Sequence, residues 1–196
     1  MGRKLSEIQN QVNRPLEDLE EKASGDAADF LTSCALLLGY VRAKRIVDAR
    51  DLHEELVASE TASLQMTTGT RSLAEALEAF AASGGEGGKP LAIERLEQLE
   101  ILGEAISNLE KILACRRSLE AKPDDPSLQF DLGVAFCCTE DKANREDRWI
   151  YTELGWFDEA NYIFTSLHEK YPDHDGVNRG LEVARNEQSL IRRRSR

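Results

Sequence analysis

Three places in the chain hold residue types that do chemistry elsewhere. His53-Glu-Glu-Leu-Val57 approaches the helical His-Glu-x-x-His pattern, in which two histidines one turn apart hold zinc and the glutamate moves a proton. Val57 stands where the second imidazole is needed, so the pattern fails at its metal. Ser83-Gly-Gly-Glu-Gly-Gly-Lys-Pro90 approaches a phosphate loop. Ser83 replaces the first glycine, Pro90 replaces the magnesium-binding hydroxyl, and no strand precedes it. Cys137, Cys138, His168 and His174 are the remaining metal-type set, but their spacing fits no zinc finger. Solvated histidines beside Pro172 are the plainer reading. The many paired carboxylates lie on charged helix faces, where solvation is their expected role. We therefore expect no active site, no metal and no cofactor.

Composition narrows the partners. The 196-residue chain has a formal net charge of −11, with 31% charged and 41% hydrophobic residues. That balance supports a packed core, in one domain or in two small ones sharing a helical stack. A surface this acidic repels nucleic-acid phosphates and anionic lipid headgroups, so neither is an expected partner. Cys34, Cys115, Cys137 and Cys138 are too few and too irregular for a disulfide framework. Reduced thiols in the cytoplasm are the expectation. Met1 to Asn10 holds no apolar run of the signal-peptide kind. The longest apolar stretch, Cys34 to Val41, is far too short to span a bilayer.

Both ends carry short signals. Met1-Gly2-Arg-Lys-Leu-Ser6 fits the myristoylation pattern, with Arg3 unfavourable by similarity to known acceptors; an ordinary start is the plainer reading. Arg192-Arg-Arg-Ser-Arg196 is a basic cluster, read either as a solubilising end or as a docking or phosphorylation segment around Ser195.

The elements that would position any site are helical throughout. Period-two alternation never persists. Leu5, Ile8, Val12, Leu16 and Leu19 predict a helix over 4–23, broken or kinked at Pro15. Gly25 ends it and Asp26 caps the next, whose broad apolar face carries Phe30, Leu31, Cys34, Leu37, Leu38 and Val41. Ile46, Ala49, Leu52 and Leu56 continue the period, and Thr67-Thr-Gly-Thr70 reads as a turn. Ser72 and Glu75 form a capping box for a short helix through Leu73, Ala76, Leu77 and Phe80. The glycines of 83–89 predict a mobile linker. From Leu91 to Ala121 the seam is Leu99, Leu102, Ile106, Leu109 and Leu113, in one long helix or in a hairpin folded near Ser107-Asn108. The predicted organisation is a helical region over 1–82, a linker at 83–90 and a second helical region over 91–196.

Two segments of that second region carry a repeat signature: Gln129-x2-Leu132-Gly133-x2-Phe136, and Gly155-Trp-Phe157-Asp-Glu-Ala160-x3-Phe164 with Pro172 eight residues on. Together they resemble the tetratricopeptide repeat (TPR), whose pattern is Trp-x2-Leu-Gly-x2-Tyr, then Ala-x3-Phe, then Pro. Gly133 and Ala160 are small where two antiparallel helices approach, and Leu132, Phe136, Phe157 and Phe164 fill the space between. Pro123 and Pro126 fit the end of a preceding repeat and the first turn of the next helix. Asp175 to Arg194 is similar to the capping helix of such arrays, with Leu181 and Ala184 inward. The chain departs from the pattern at Gln129, where the family has a large apolar residue, and at Lys111, where it has a small one. It departs again over Thr139 to Glu153, about fifteen residues longer than the pattern requires. The resemblance is specific over 118–190, weaker over 91–117 and weakest over 1–82.

The resemblance implies an all-α fold of antiparallel helix hairpins stacked in a right-handed array of about seven or eight helices. It implies a non-catalytic adaptor or scaffold that binds a helical or extended segment of a partner protein. A dedicated chaperone or assembly factor for one client is the alternative. In register, the groove of such a protein would show Ser127, Phe130, Asp131, Val134, Cys137 and Cys138, joined by Arg179, Val183 and Asn186. The Lys/Asn clamp with which some TPR domains hold a C-terminal carboxylate is missing, since Phe130 and Val134 occupy two of its sites. An apolar groove suits an amphipathic or extended apolar segment, unless these side chains pack against N-terminal helices. Trp149 and Tyr151 close the lengthened stretch, either as a contact surface or as cover for the hairpin core. The expected partner-binding set is therefore Phe130, Val134, Cys137, Trp149, Tyr151 and Arg179.

Overall fold

Helix boundaries fall where caps and breakers put them. The computed structural model describes residues 14–23, 29–70, 72–82, 91–137, 154 and 156–194. Among these are eight helices and no strand: α1 (Leu16–Ala23), α2 (Phe30–Arg42), α3 (Ile46–Thr68), α4 (Leu73–Ala82), α5 (Leu91–Ala121), α6 (Pro126–Cys137), α7 (Trp156–Lys170) and α8 (Asp175–Arg194). The all-helical expectation holds. None of the described helices is long and apolar enough to cross a membrane.

Several boundaries correct or sharpen the sequence reading. Pro15 directly precedes α1, and its carbonyl accepts the Leu19 N–H. The cap of α2 is Asp29, not Asp26. The Asp29 carboxylate accepts from the Thr32 N–H at 2.7 Å, satisfying an end group that the helix itself leaves unpaired. Thr67 and Thr68 are the last residues of α3 rather than a turn, with the Thr67 hydroxyl bonded back to the Ser63 carbonyl at 2.9 Å. Gly69 ends the helix in the left-handed region, at φ 67°. At the α2–α3 corner Lys44 takes a φ of 59°, a place glycine usually fills. The Ser72 hydroxyl accepts from the Glu75 N–H at 3.2 Å, as its cap position predicted.

The chain divides into two compact units, Met1–Ile106 and Ser107–Arg196. The division falls inside α5, a single helix of 31 residues with no fold at Ser107-Asn108. The predicted linker at 83–90 lies outside the described residues. The division falls within α5 because the first half of that helix completes the core of the first unit. There α1 packs on α2, α2 on α3 and α3 on α4. Gly39 gives α1 its approach, since a Cβ there would sit 2.8 Å from Leu16 Cδ1. The His53 ring donates from Nε2 to the Leu99 carbonyl at 2.8 Å and lies against Gly103. Glu60, 7% exposed, meets the Arg95 guanidinium at 2.9 Å, and that guanidinium also covers the Phe30 ring at 4.9 Å. The broad face predicted for α2 is real: Phe30, Cys34, Leu37, Leu38 and Val41 are buried, while Leu31 is half-exposed.

Cys34, Cys115 and Cys137 are free thiols. Burial pushes the Cys34 thiol well above its ordinary value, and burial followed by the charge of Asp131 raises Cys115. The thiolate is the reactive form. Cys34 has no exposed surface and Cys115 is half-buried. In single-cysteine variants at pH 8, a disulfide reagent should label Cys115 first and Cys34 only after denaturant is added. Equal native labelling rates would contradict the burial of Cys34.

Candidate binding site

The second unit is built on one aromatic ring. α6 packs on α7 and α7 on α8, with a lighter contact between α6 and α8. Phe164 of α7 has no exposed surface. A Cβ at Gly133 of α6 would lie 2.8 Å from its Cζ, and one at Gly180 of α8 only 2.5 Å. The two glycines thus leave room for the ring. The close approach at Gly133 is therefore helix to ring, where the sequence reading had backbone to backbone. Leu132, Phe136, Phe157 and Ala160 are buried around it, as are Leu181 and Ala184 of α8. Phe136 stands edge-on to Trp156 at 6.3 Å.

The caps fix one end of this unit. The Asp125 carboxylate accepts from the N–H groups of Ser127 (3.0 Å) and Leu128 (3.2 Å) and so starts α6 at Pro126. Gln129, out of place in the repeat pattern, donates its amide to the Pro123 carbonyl at 2.8 Å and fastens the same corner. α7 stops at Lys170, before Pro172. His174 then starts α8, its Nδ1 accepting from the Val177 N–H at 3.2 Å. Asn178 donates to the Pro172 carbonyl at 2.9 Å and accepts from His168 Nδ1 at 2.7 Å.

At this end the start of α6, the end of α7 and the start of α8 surround a cavity of about 330 Å³. Its size is at the lower edge of the range for ligand pockets. Pro126, Phe130, Leu167, Tyr171 and Val177 form apolar walls, and Ser127, Asp131 and His174 add polar groups. Phe130 is held in place from both sides, with ring centroids 5.9 Å from Phe164 and 5.9 Å from His174. Tyr171 is 43% exposed and Asp131 is exposed, so the walls are reached from solvent.

The structure sorts the predicted site residues. Ser127, Phe130 and Asp131 meet at the cavity. Val134 is 36% exposed but lies one turn away from it. Cys137 is 4% exposed, which removes it from any binding surface. It lies four residues after Gly133, so helical period turns it to the same inward face. Arg179 is exposed on α8 and does not line the cavity. Trp149, Tyr151 and Cys138 lie outside the described residues, as does the question of whether 139–153 is a loop or lengthened helix. Sequence reasoning missed Leu167, Tyr171, His174 and Val177 as lining residues. The available signal was the Leu167/Tyr171 spacing of four at the end of α7, with His174 just past Pro172.

A second cavity, of about 520 Å³, lies in the first unit among Leu36, Tyr40, Leu52 and Leu56, with Glu20 and Glu55 on its walls. Among the described residues no three metal-type side chains come together. Compared with protein-family models, with curated proteins and with solved structures, the chain matches none.

Proposed function

We propose that this chain is a non-catalytic protein-interaction module of the TPR type, an adaptor or scaffold that holds a helical or extended segment of a partner protein. The observation that carries the reading is the convergence of Ser127, Phe130 and Asp131 with Tyr171 on one solvent-reached cavity. Those three α6 residues are groove positions in the repeat register. The cavity presents apolar walls with a few polar groups, the composition by which proteins seat an anchoring side chain. Protein is proposed over nucleic acid because the net charge of −11 opposes phosphate binding. A reducing, cytoplasmic setting belongs to the same reading and suits the free thiols Cys34 and Cys137.

A random peptide library displayed on phage and selected on the full chain tests this. Tyr171→Ala removes an exposed aromatic wall without opening the Phe164 core. Selected peptides should bind this variant about tenfold more weakly, with an unchanged melting temperature. Failure to select any peptide, or binding indifferent to Tyr171→Ala, would reject the proposal.

A further inference from the structure

We propose that the side chain this cavity accepts is an arginine, presented on the partner's segment; the inference rests on the interaction reading above. Asp131 stands in the wall, and among the described residues its carboxylate makes no hydrogen bond or ion pair, acting only through its charge on Cys115. Phe130 and Tyr171 line the same space. A guanidinium suits that combination because it stacks on aromatic faces and pairs with a carboxylate through its planar fork. Leu167 and Val177 offer apolar surface for the aliphatic stem.

The opposite occupant, an anion, would use the helix starts, where unpaired N–H groups and the helix dipole favour negative charge. Several of those groups already have acceptors. Ser127 and Leu128 give their N–H groups to Asp125, and Val177 gives its own to His174 Nδ1. The segments that flank the lining residues in the chain, 122–125 and 170–175, carry Asp124, Asp125, Asp173 and Asp175 against Lys122 and Lys170. The excess of negative charge steers a cationic segment toward the opening.

Three acetylated, amidated peptides of one seven-residue background, differing only in a central arginine, leucine or glutamate, test the inference. Each is titrated into the 15N-labelled full chain while the amide signals of Phe130, Asp131, Tyr171 and His174 are followed. The arginine peptide should bind at least about threefold more tightly than the leucine peptide, with the glutamate peptide weakest. Asp131→Asn, an isosteric change at an exposed residue, should abolish the arginine advantage over leucine. Equal binding of arginine and leucine, both lost in Tyr171→Ala, would overturn the arginine inference and keep the interaction reading. Tightest binding of glutamate would overturn the inference as well. No shift at these four signals with any peptide would overturn both.

Discussion

Phe164→Ala should cost the C-terminal unit about 3–5 kcal/mol, more than any other single truncation in it. The ring has no exposed surface and is the piece against which α6, α7 and α8 all close. Its removal also strips Phe130 of its edge-on neighbour. Gly180→Ala tests the same geometry from the other side. A methyl group 2.5 Å from Phe164 Cζ forces the ring or the helix to move, and overpacking of this kind costs about 1–3 kcal/mol. The two changes should not add. In a Phe164→Leu background the methyl of Gly180→Ala has space, so its penalty should fall to near zero. Urea melts of the four proteins read this directly. An undiminished Gly180→Ala penalty beside Leu at 164 would show that the glycine answers to something other than the ring.

The second large effect lies in the other unit. Arg95→Met should destabilise by about 3 kcal/mol, because it leaves the Glu60 carboxylate buried without its cation. The side chain of Glu60 is 9% exposed and that of Arg95 33%, so solvent tempers the loss without supplying a replacement partner. Among the described residues, Oε2 of Glu60 already lacks a hydrogen-bond partner, as does Oε1 of the buried Gln98. The carboxylate has little else to lean on. The Glu60→Met, Arg95→Met double variant should recover most of the stability, since apolar residues of similar volume often match a buried ion pair. A double variant as unstable as Arg95→Met would mean that the pair holds α3 to α5 in a way packing cannot.

Both effects come from places where sequence patterns stop short. The Leu-Gly-x2-Phe and Ala-x3-Phe runs announced α6, α7 and their shared core, because small and large residues at helical spacing admit few other arrangements. Asp125, Pro126 and Pro172 marked the ends, since caps and prolines act locally. Gly180 gave no such signal. A glycine in a charged amphipathic helix has no local reason, and its partner lies sixteen residues back in a different helix. Glu60 and Arg95 likewise read as two more charges on solvated faces, because burial of a charge is a tertiary fact. Cys137 was misplaced for a related reason. Register fixes angular spacing along α6 but not how far inward its stripe extends, and the inward side takes in Phe130, Gly133 and Cys137 together. The length of α5 was open in sequence because Gly103 permits either a bend or a close neighbour; the neighbour is His53.

The order of packing also bears on how the chain reaches its native state. In the first unit α1 meets α2, α2 meets α3 and α3 meets α4; in the second α6 meets α7 and α7 meets α8. Helices close mainly on their neighbours in the chain, so much of the entropy of bringing ends together is spent on short separations. Topologies of this kind have low contact order and fold in microseconds to milliseconds. Among the described residues, the contacts that depart from this order include α3 with the first half of α5, through His53 and Glu60, α2 with the same half of α5, through Phe30 and Arg95, and α6 with α8. They are the long-range closures, and the slower steps of folding in each unit should be theirs.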